Sequence, residues 1–319
     1  MIKIMKSKRP GSANKEIEAS ELDWWHQFAQ FEYDFAWVQP SCIRNIIRGR
    51  YVRKILEVSG KNSKILELGC GMGWLSMELA KHGATDVTGV DFSSAQIDLA
   101  NECAKSSRLN DKVKFICSDG KNESLIGESY DCVVLHAFLH HLSQSEIAEV
   151  FNTIKKIIRP NGLLIIFEPI THEKSGGDKL SPLFELQLKL ANLASRGTRW
   201  GIRKFSHDEL QWRDLLSKRS WGKPPHGPSP KEMPFKEGEL EQFIEKDFTL
   251  QSKRPYLIIS HLVMQEWLLR KTSHPISTGA VILGIARLTS WIDFFLSNTQ
   301  SLPNGQWVFK LLICKSNRV

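Results

Sequence analysis

The strongest constraint in this chain lies where the apolar run Lys64-Ile65-Leu66-Glu67-Leu68 passes into Gly69-Cys70-Gly71-Met72-Gly73 and then into a helix-forming stretch, Trp74 to His82. Three glycines at alternate positions allow positive φ and let another group approach the backbone closely. A strand that ends in such a turn and continues as a helix opens a doubly wound α/β unit. Eighteen residues past Gly73 stands Asp91, closing a second apolar run from Asp86. In that fold an acid at this place reads a ribose diol. The spacing is not that of the dinucleotide fingerprint, whose last glycine would fall where Trp74 stands.

The alternation continues. Val113 to Cys117, Asp131 to His136 and Leu163 to Glu168 read as strands, with helices over Ser94 to Ser106 and Ser145 to Ile158 and a turn at Arg159-Pro160-Asn161-Gly162. Glu237 to Lys246 reads as a helix, and Phe248 to Ile259 and Trp307 to Cys314 as further strands. Short β-rich runs separated by helical patterns imply a mostly parallel, seven-stranded Rossmann-like sheet with helices on both faces. Around it the spacing predicts a basic mobile arm over 1–20, an aromatic N-terminal helical lid over 21–56 broken near Pro40, and a core over 57–170. A polar, basic insertion over 171–235 and the end of the sheet over 236–319 follow, with an apolar helical insertion at about 260–300.

Composition narrows the classes. Hydrophobic residues are 41% and charged residues 24%, which is globular and not disordered material. The six cysteines form no CxxC pair, which argues against a disulfide framework or a zinc site and for a reducing, cytoplasmic setting. The opening MIKIMKSKRPGSANKE has no apolar core of a signal peptide. No stretch reaches ~18 uncharged apolar residues, as a spanning helix requires. The excess of 43 Lys+Arg over 35 Asp+Glu permits an anionic partner without naming one.

The shape ExGxGxG with a following GVDFS resembles the class I S-adenosylmethionine-dependent methyltransferases. The resemblance continues through Cys117-Ser118-Asp119-Gly120, YDCVVLHAFLHHL and RPNGLLIIFEP, covering Ile65 to Pro169 in order. It points to the branch that holds ubiquinone-type and small-molecule enzymes. The resemblance implies that S-adenosylmethionine is the cofactor, leaving as S-adenosylhomocysteine. It implies that Glu67, Gly69, Cys70, Gly71 and Gly73 shape its turn. Asp91 would take the ribose hydroxyls, and Phe92 would lie near the adenine. Asp119, flanked by Ser118 and Gly120, would meet the adenine amino group. His136 would face the sulfonium and the acceptor.

Methyl transfer is an in-line displacement that needs alignment and exclusion of water. The fourth strand ends in His136-Ala137-Phe138, with no acidic cluster like that of metal-dependent catechol-type relatives, so no metal is expected. A hydroxyl acceptor needs a base, and the candidates are His136, His140, His141, Glu168 and His172. Of these His136, His140 and Glu168 are the catalytic candidates. For His140 and His141, packing beside a helix start is the alternative; for Glu168 it is a salt bridge to the insertion. No NPPY or DPPY tetrad, Pro-Cys dipeptide or paired-glutamate loop is recognisable, which disfavours nucleic-acid and arginine substrates. Trp24, Trp25, Phe28, Phe31, Tyr33, Phe35 and Trp37 form either a substrate wall or packed core. The apolar segment 257–296 reads as a lid or homodimer face, or as a peripheral membrane contact. The expectation is a methyltransferase for a hydrophobic or lipid-like small molecule, O-methylation ahead of N- or C-methylation. The alternative is a cyclase-like enzyme that binds the cofactor without transferring methyl, or an inactive partner subunit.

Overall fold

A computed structural model describes residues 15–37, 49–121, 129–171, 229–255 and 307–318. In chain order the elements are α1 (Lys15–Trp37), α2 (Gly49–Ser59), β1 (Lys64–Leu68), α3 (Trp74–Lys81), β2 (Asp86–Asp91), α4 (Ser94–Ser106) and β3 (Val113–Cys117). They continue as β4 (Tyr130–His136), a short 3-10 turn (Leu139–His141), α5 (Gln144–Ile157), β5 (Ile158–Thr171), β6 (Phe235–Lys236), α6 (Glu241–Ile244), β7 (Phe248–Pro255) and β8 (Trp307–Ser316).

The strands form one sheet in the order β3-β2-β1-β4-β5-β8-β7, with β6 beside β5. β1 to β5 run parallel, and β8 lies antiparallel between β5 and β7. The order reverses between β1 and β4, and the crevice at such a switch point is where ligands bind in open sheets. β1 and β4 are apolar through most of their length because both their faces are covered. On one face Tyr51 and Ile55 of α2 pack with Leu75 and Leu79 of α3. On the other, Leu66 and Leu135 meet Ile147, Val150 and Ile154 of α5.

Several boundaries differ from the sequence-based expectation. The first helix begins at Lys15, inside the stretch read as a mobile arm. The turn expected at 159–162 is part of β5. A register irregularity opposite Tyr130 and Cys132 takes up the extra residues, and Asn161 adopts φ 61°. β5 runs on to Thr171 because β6 and β8 both pair with it that far. The helix expected over 237–246 is the single turn α6. The eighth strand beyond the seven expected is β6, two residues long. The break near Pro40, His172, most of the 171–235 insertion and the apolar segment 257–296 lie outside the described residues. Among the described residues no helix is long and apolar enough to cross a membrane, and no group of three or more His, Cys, Asp or Glu is placed to hold a metal ion.

Candidate functional site

The strand register aligns the carboxyl ends of β1 to β4. Leu68 faces Val90 and Leu135, and Asp91 faces Cys117. The glycine turn therefore rises beside Asp91 and the tip of β4. Gly69, Gly71 and Gly73 all have positive φ (72°, 53° and 75°), which a side chain resists. The Gly69 and Cys70 N–H groups donate to the Val90 carbonyl, and Gly73 N–H donates to Cys70 O at 2.9 Å. Two glycines make room for rings of the protein itself. A Cβ on Gly69 would lie 2.3 Å from the Phe138 ring, and one on Gly73 2.3 Å from the Phe115 ring.

Asp91 is buried beneath this turn. Its Oδ2 accepts from Gly71 N–H at 2.9 Å and its Oδ1 from Ser93 N–H at 2.9 Å. Burial pushes its pKa up, while the Ser93 and Gly71 backbone donors pull it back. A carboxylate offers about four acceptor positions, so these bonds, with a further weaker backbone pull from Phe92, leave capacity for a ligand hydroxyl. Next to it Phe92 is 37% exposed, an apolar ring left open at the rim. Asp119 at the end of β3 is exposed, and its Oδ1 accepts from Lys121 N–H at 3.0 Å. Gly120 is buried and accepts positive φ, with its N–H on the Ser118 hydroxyl. An acid and an open aromatic face at the tip of β2, with a second acid just past the neighbouring tip of β3, fit a nucleoside-bearing ligand such as S-adenosylmethionine.

Glu67 has a different placement. It is 1% exposed, and its Oε2 accepts from Ser76 N–H at 3.0 Å and from the Ser76 hydroxyl at 2.5 Å. Gly73 carries no side chain to cap α3, so Glu67 does that work from β1. It serves the turn from below.

His136 closes β4 half-buried among aromatic rings. It stacks on Phe167 (4.9 Å, 5°), meets Trp74 edge-on (5.0 Å, 81°) and packs beside Tyr51 (5.1 Å). Phe309 extends the stack from Phe167 at 4.9 Å. His140 and Glu168 do not join His136. Glu168 is fully buried and its Oε2 lies 2.7 Å from His140 Nδ1, on the side of the sheet away from the aromatic stack. His141 points to the N-terminal helix. Its Nδ1 lies 2.8 Å from the Ser229 hydroxyl and 3.3 Å from Glu21, and Trp25 sits edge-on to its ring. Glu21 in turn accepts from Lys231 N–H at 2.8 Å.

Sequence reasoning missed Phe115, Phe138, Phe167 and Phe309. Phe138 had a signal, since it stands in the same HAFLHH run as the histidines; the others read as ordinary strand residues.

Residues 65–162 match the family model described as a methyltransferase domain. The ubiquinone biosynthesis O-methyltransferase of Coxiella burnetii is 30% identical over 142 residues, 44% of this chain and 55% of that protein. The sterol 24-C-methyltransferase of Debaryomyces hansenii is 28% identical over 115 residues, 36% of this chain and 30% of that protein. The chain thus spans between 55% and 65% of the length of the ubiquinone-biosynthesis relatives it matches. Among solved structures, the [4+2]-cyclase SpnF superposes with a TM-score of 0.50 at 15% identity, covering 85% of this chain and 82% of that one; this likeness concerns the fold alone.

Proposed function

From the premise that residues 65–162 are a methyltransferase domain of the class I S-adenosylmethionine-dependent family, we propose that this protein methylates a hydrophobic small molecule, at oxygen before nitrogen or carbon. The observation that carries the reading is the Asp91 carboxylate, tied to Gly71 beneath the glycine turn with Phe92 open beside it. S-adenosylmethionine supplies a methyl carbon already activated by its sulfonium. Asp91 takes ribose hydroxyls, Phe92 lies against the adenine, and Asp119 with Ser118 and Gly120 receives the adenine amino group. Gly69, Cys70, Gly71 and Gly73 hold the turn that carries the amino-acid part.

His136 is the base in this reading, accepting the proton of an acceptor hydroxyl. Its stack with Phe167 and its contacts with Trp74 and Tyr51 supply an apolar wall, which supports a hydrophobic acceptor. The Coxiella relative supports oxygen as the methylated atom and the Debaryomyces relative supports carbon.

The test is incubation of the protein with methyl-labelled S-adenosylmethionine and a panel of hydrophobic phenols, sterols and amines. Label in a phenol ether is the expected result. Cofactor binding by calorimetry with no labelled product across the panel would favour the non-transferring alternative, and absence of cofactor binding would remove the reading.

A further inference from the structure

The chain turns sharply after β4. Ala137 N–H still donates to Phe167 O at 2.8 Å, but Ala137 itself adopts φ 50°, a left-handed conformation unfavourable for a residue with a Cβ. Beyond it the Phe138 and Leu139 N–H groups leave the strand ladder. Both donate to one oxygen of Glu168, at 2.8 and 2.7 Å. The other oxygen faces His140 Nδ1 at 2.7 Å. All three donors come from consecutive residues, and the carboxylate that gathers them is 0% exposed. Charge-assisted bonds of this kind are the strong ones, and a buried N–H left without a partner is costly. The Phe138 ring meanwhile occupies the space that a Cβ on Gly69 would need.

We infer that Glu168 is a positioning residue: its carboxylate holds the left-handed turn after β4 and thereby seats Phe138 against Gly69, fixing the shape of the glycine turn. The consequence for cofactor binding rests on the methyltransferase reading; the consequence for the turn does not. Glu168 touches no reacting atom in this role. The same turn also anchors the segment before β6, because Met233 N–H donates to His140 O at 2.8 Å.

The experiment is amide hydrogen exchange on the full chain without ligand, comparing wild type, Glu168→Ala, Glu168→Gln and Phe138→Ala. Glu168→Ala is expected to speed exchange about tenfold or more at Phe138 and Leu139 and also at Gly69, Cys70, Gly71 and Gly73. Glu168→Gln restores most of the protection, since its carbonyl oxygen still accepts both N–H groups. Phe138→Ala speeds the glycine turn while Leu139 stays protected. Wild-type exchange at the glycine turn in Glu168→Ala overturns the inference, as does acceleration spread evenly over the sheet. Should Glu168→Ala not fold, wild-type exchange at the glycine turn in Phe138→Ala overturns it. Calorimetry with S-adenosylhomocysteine is the second readout, with affinity expected to fall in Glu168→Ala and to recover in Glu168→Gln. If wild type binds no S-adenosylhomocysteine, the functional reading fails while the exchange data still decide the role of Glu168.

Discussion

Gly69 and Gly120 hold nearly the same φ, 72° and 74°, yet alanine should not cost the same at the two positions. At Gly120 the nearest atom to a new Cβ is Leu68 Cδ2 at 3.6 Å, an ordinary contact, so Gly120→Ala pays only the left-handed backbone, about 1–2 kcal/mol. At Gly69 the same strain is joined by overlap with the Phe138 ring. Gly69→Ala is therefore expected to lower stability more than Gly120→Ala in chemical denaturation, and Phe138→Ala in the Gly69→Ala background to return the steric part only. Asp91 gives a second expectation at this scale. Asp91→Ala removes a buried acceptor of the Gly71 and Ser93 N–H groups and should weaken S-adenosylhomocysteine binding by roughly 1–3 kcal/mol in calorimetry. Because burial raises its pKa, wild-type affinity should begin to fall on acidification above the ordinary aspartate range near 3.8. Asp91 was legible because strand end, glycine turn and acid form a local pattern. Phe138 stood in the HAFLHH run, but its contact with Gly69 was not legible, since that backbone lies far away along the chain.

At the level of elements, α1 rests on α4 and reaches the 3-10 turn through Glu21 and Trp25. Its aromatic richness was legible, but its docking point depended on His141, Ser229 and Lys231, which no periodicity connects. Burial lowers the His141 pKa, and His140 lowers it further, against smaller opposing pulls from Glu21 and Glu232. A base whose folded pKa lies below its free value gives the fold as a whole stability that is lost as pH falls from about 6.5 towards the folded value. Glu21 has its pKa lowered because hydrogen bonds and attraction from His141, with Lys231 and Trp25, outweigh its burial. Its contribution is full above 4.5 and is lost as pH falls through the depressed value. Both signs agree, so the fold should lose stability on acidification, with His141 contributing from about pH 6.5 and Glu21 only below 4.5. The check is the pH dependence of urea denaturation of wild type. Stability that stays flat from neutral pH to below 5 would contradict it.

Across the whole molecule the sheet has two halves of different origin. The parallel half, β3-β2-β1-β4-β5, follows from repeated strand and helix patterns and was readable in outline. The antiparallel edge was not, because β8 comes last in the chain yet inserts between β5 and β7. An ionic cluster joins that edge. Lys310 of β8 and Lys253 of β7 both pair with Glu237, and Lys253 pairs with Glu241 of α6 as well. The two lysines are held close by carboxylates, and burial lowers the Lys310 pKa despite Glu237. Removing one member of such a cluster leaves its partner's charge uncompensated, while replacing a buried charge with a hydrophobe can be neutral. Glu237 is 41% exposed, which limits its direct pairing energy to about 1 kcal/mol or less. Lys310 is only 7% exposed and would keep its burial cost without that carboxylate. Glu237→Gln should therefore destabilise the fold more than Lys310→Met in urea denaturation. Adding Lys310→Met to Glu237→Gln should recover stability, because the uncompensated ammonium is then gone. Equal losses from the two single variants, adding in the double, would mean that the cluster is solvated and that the backbone ladder and apolar packing join β8 to β7 without it.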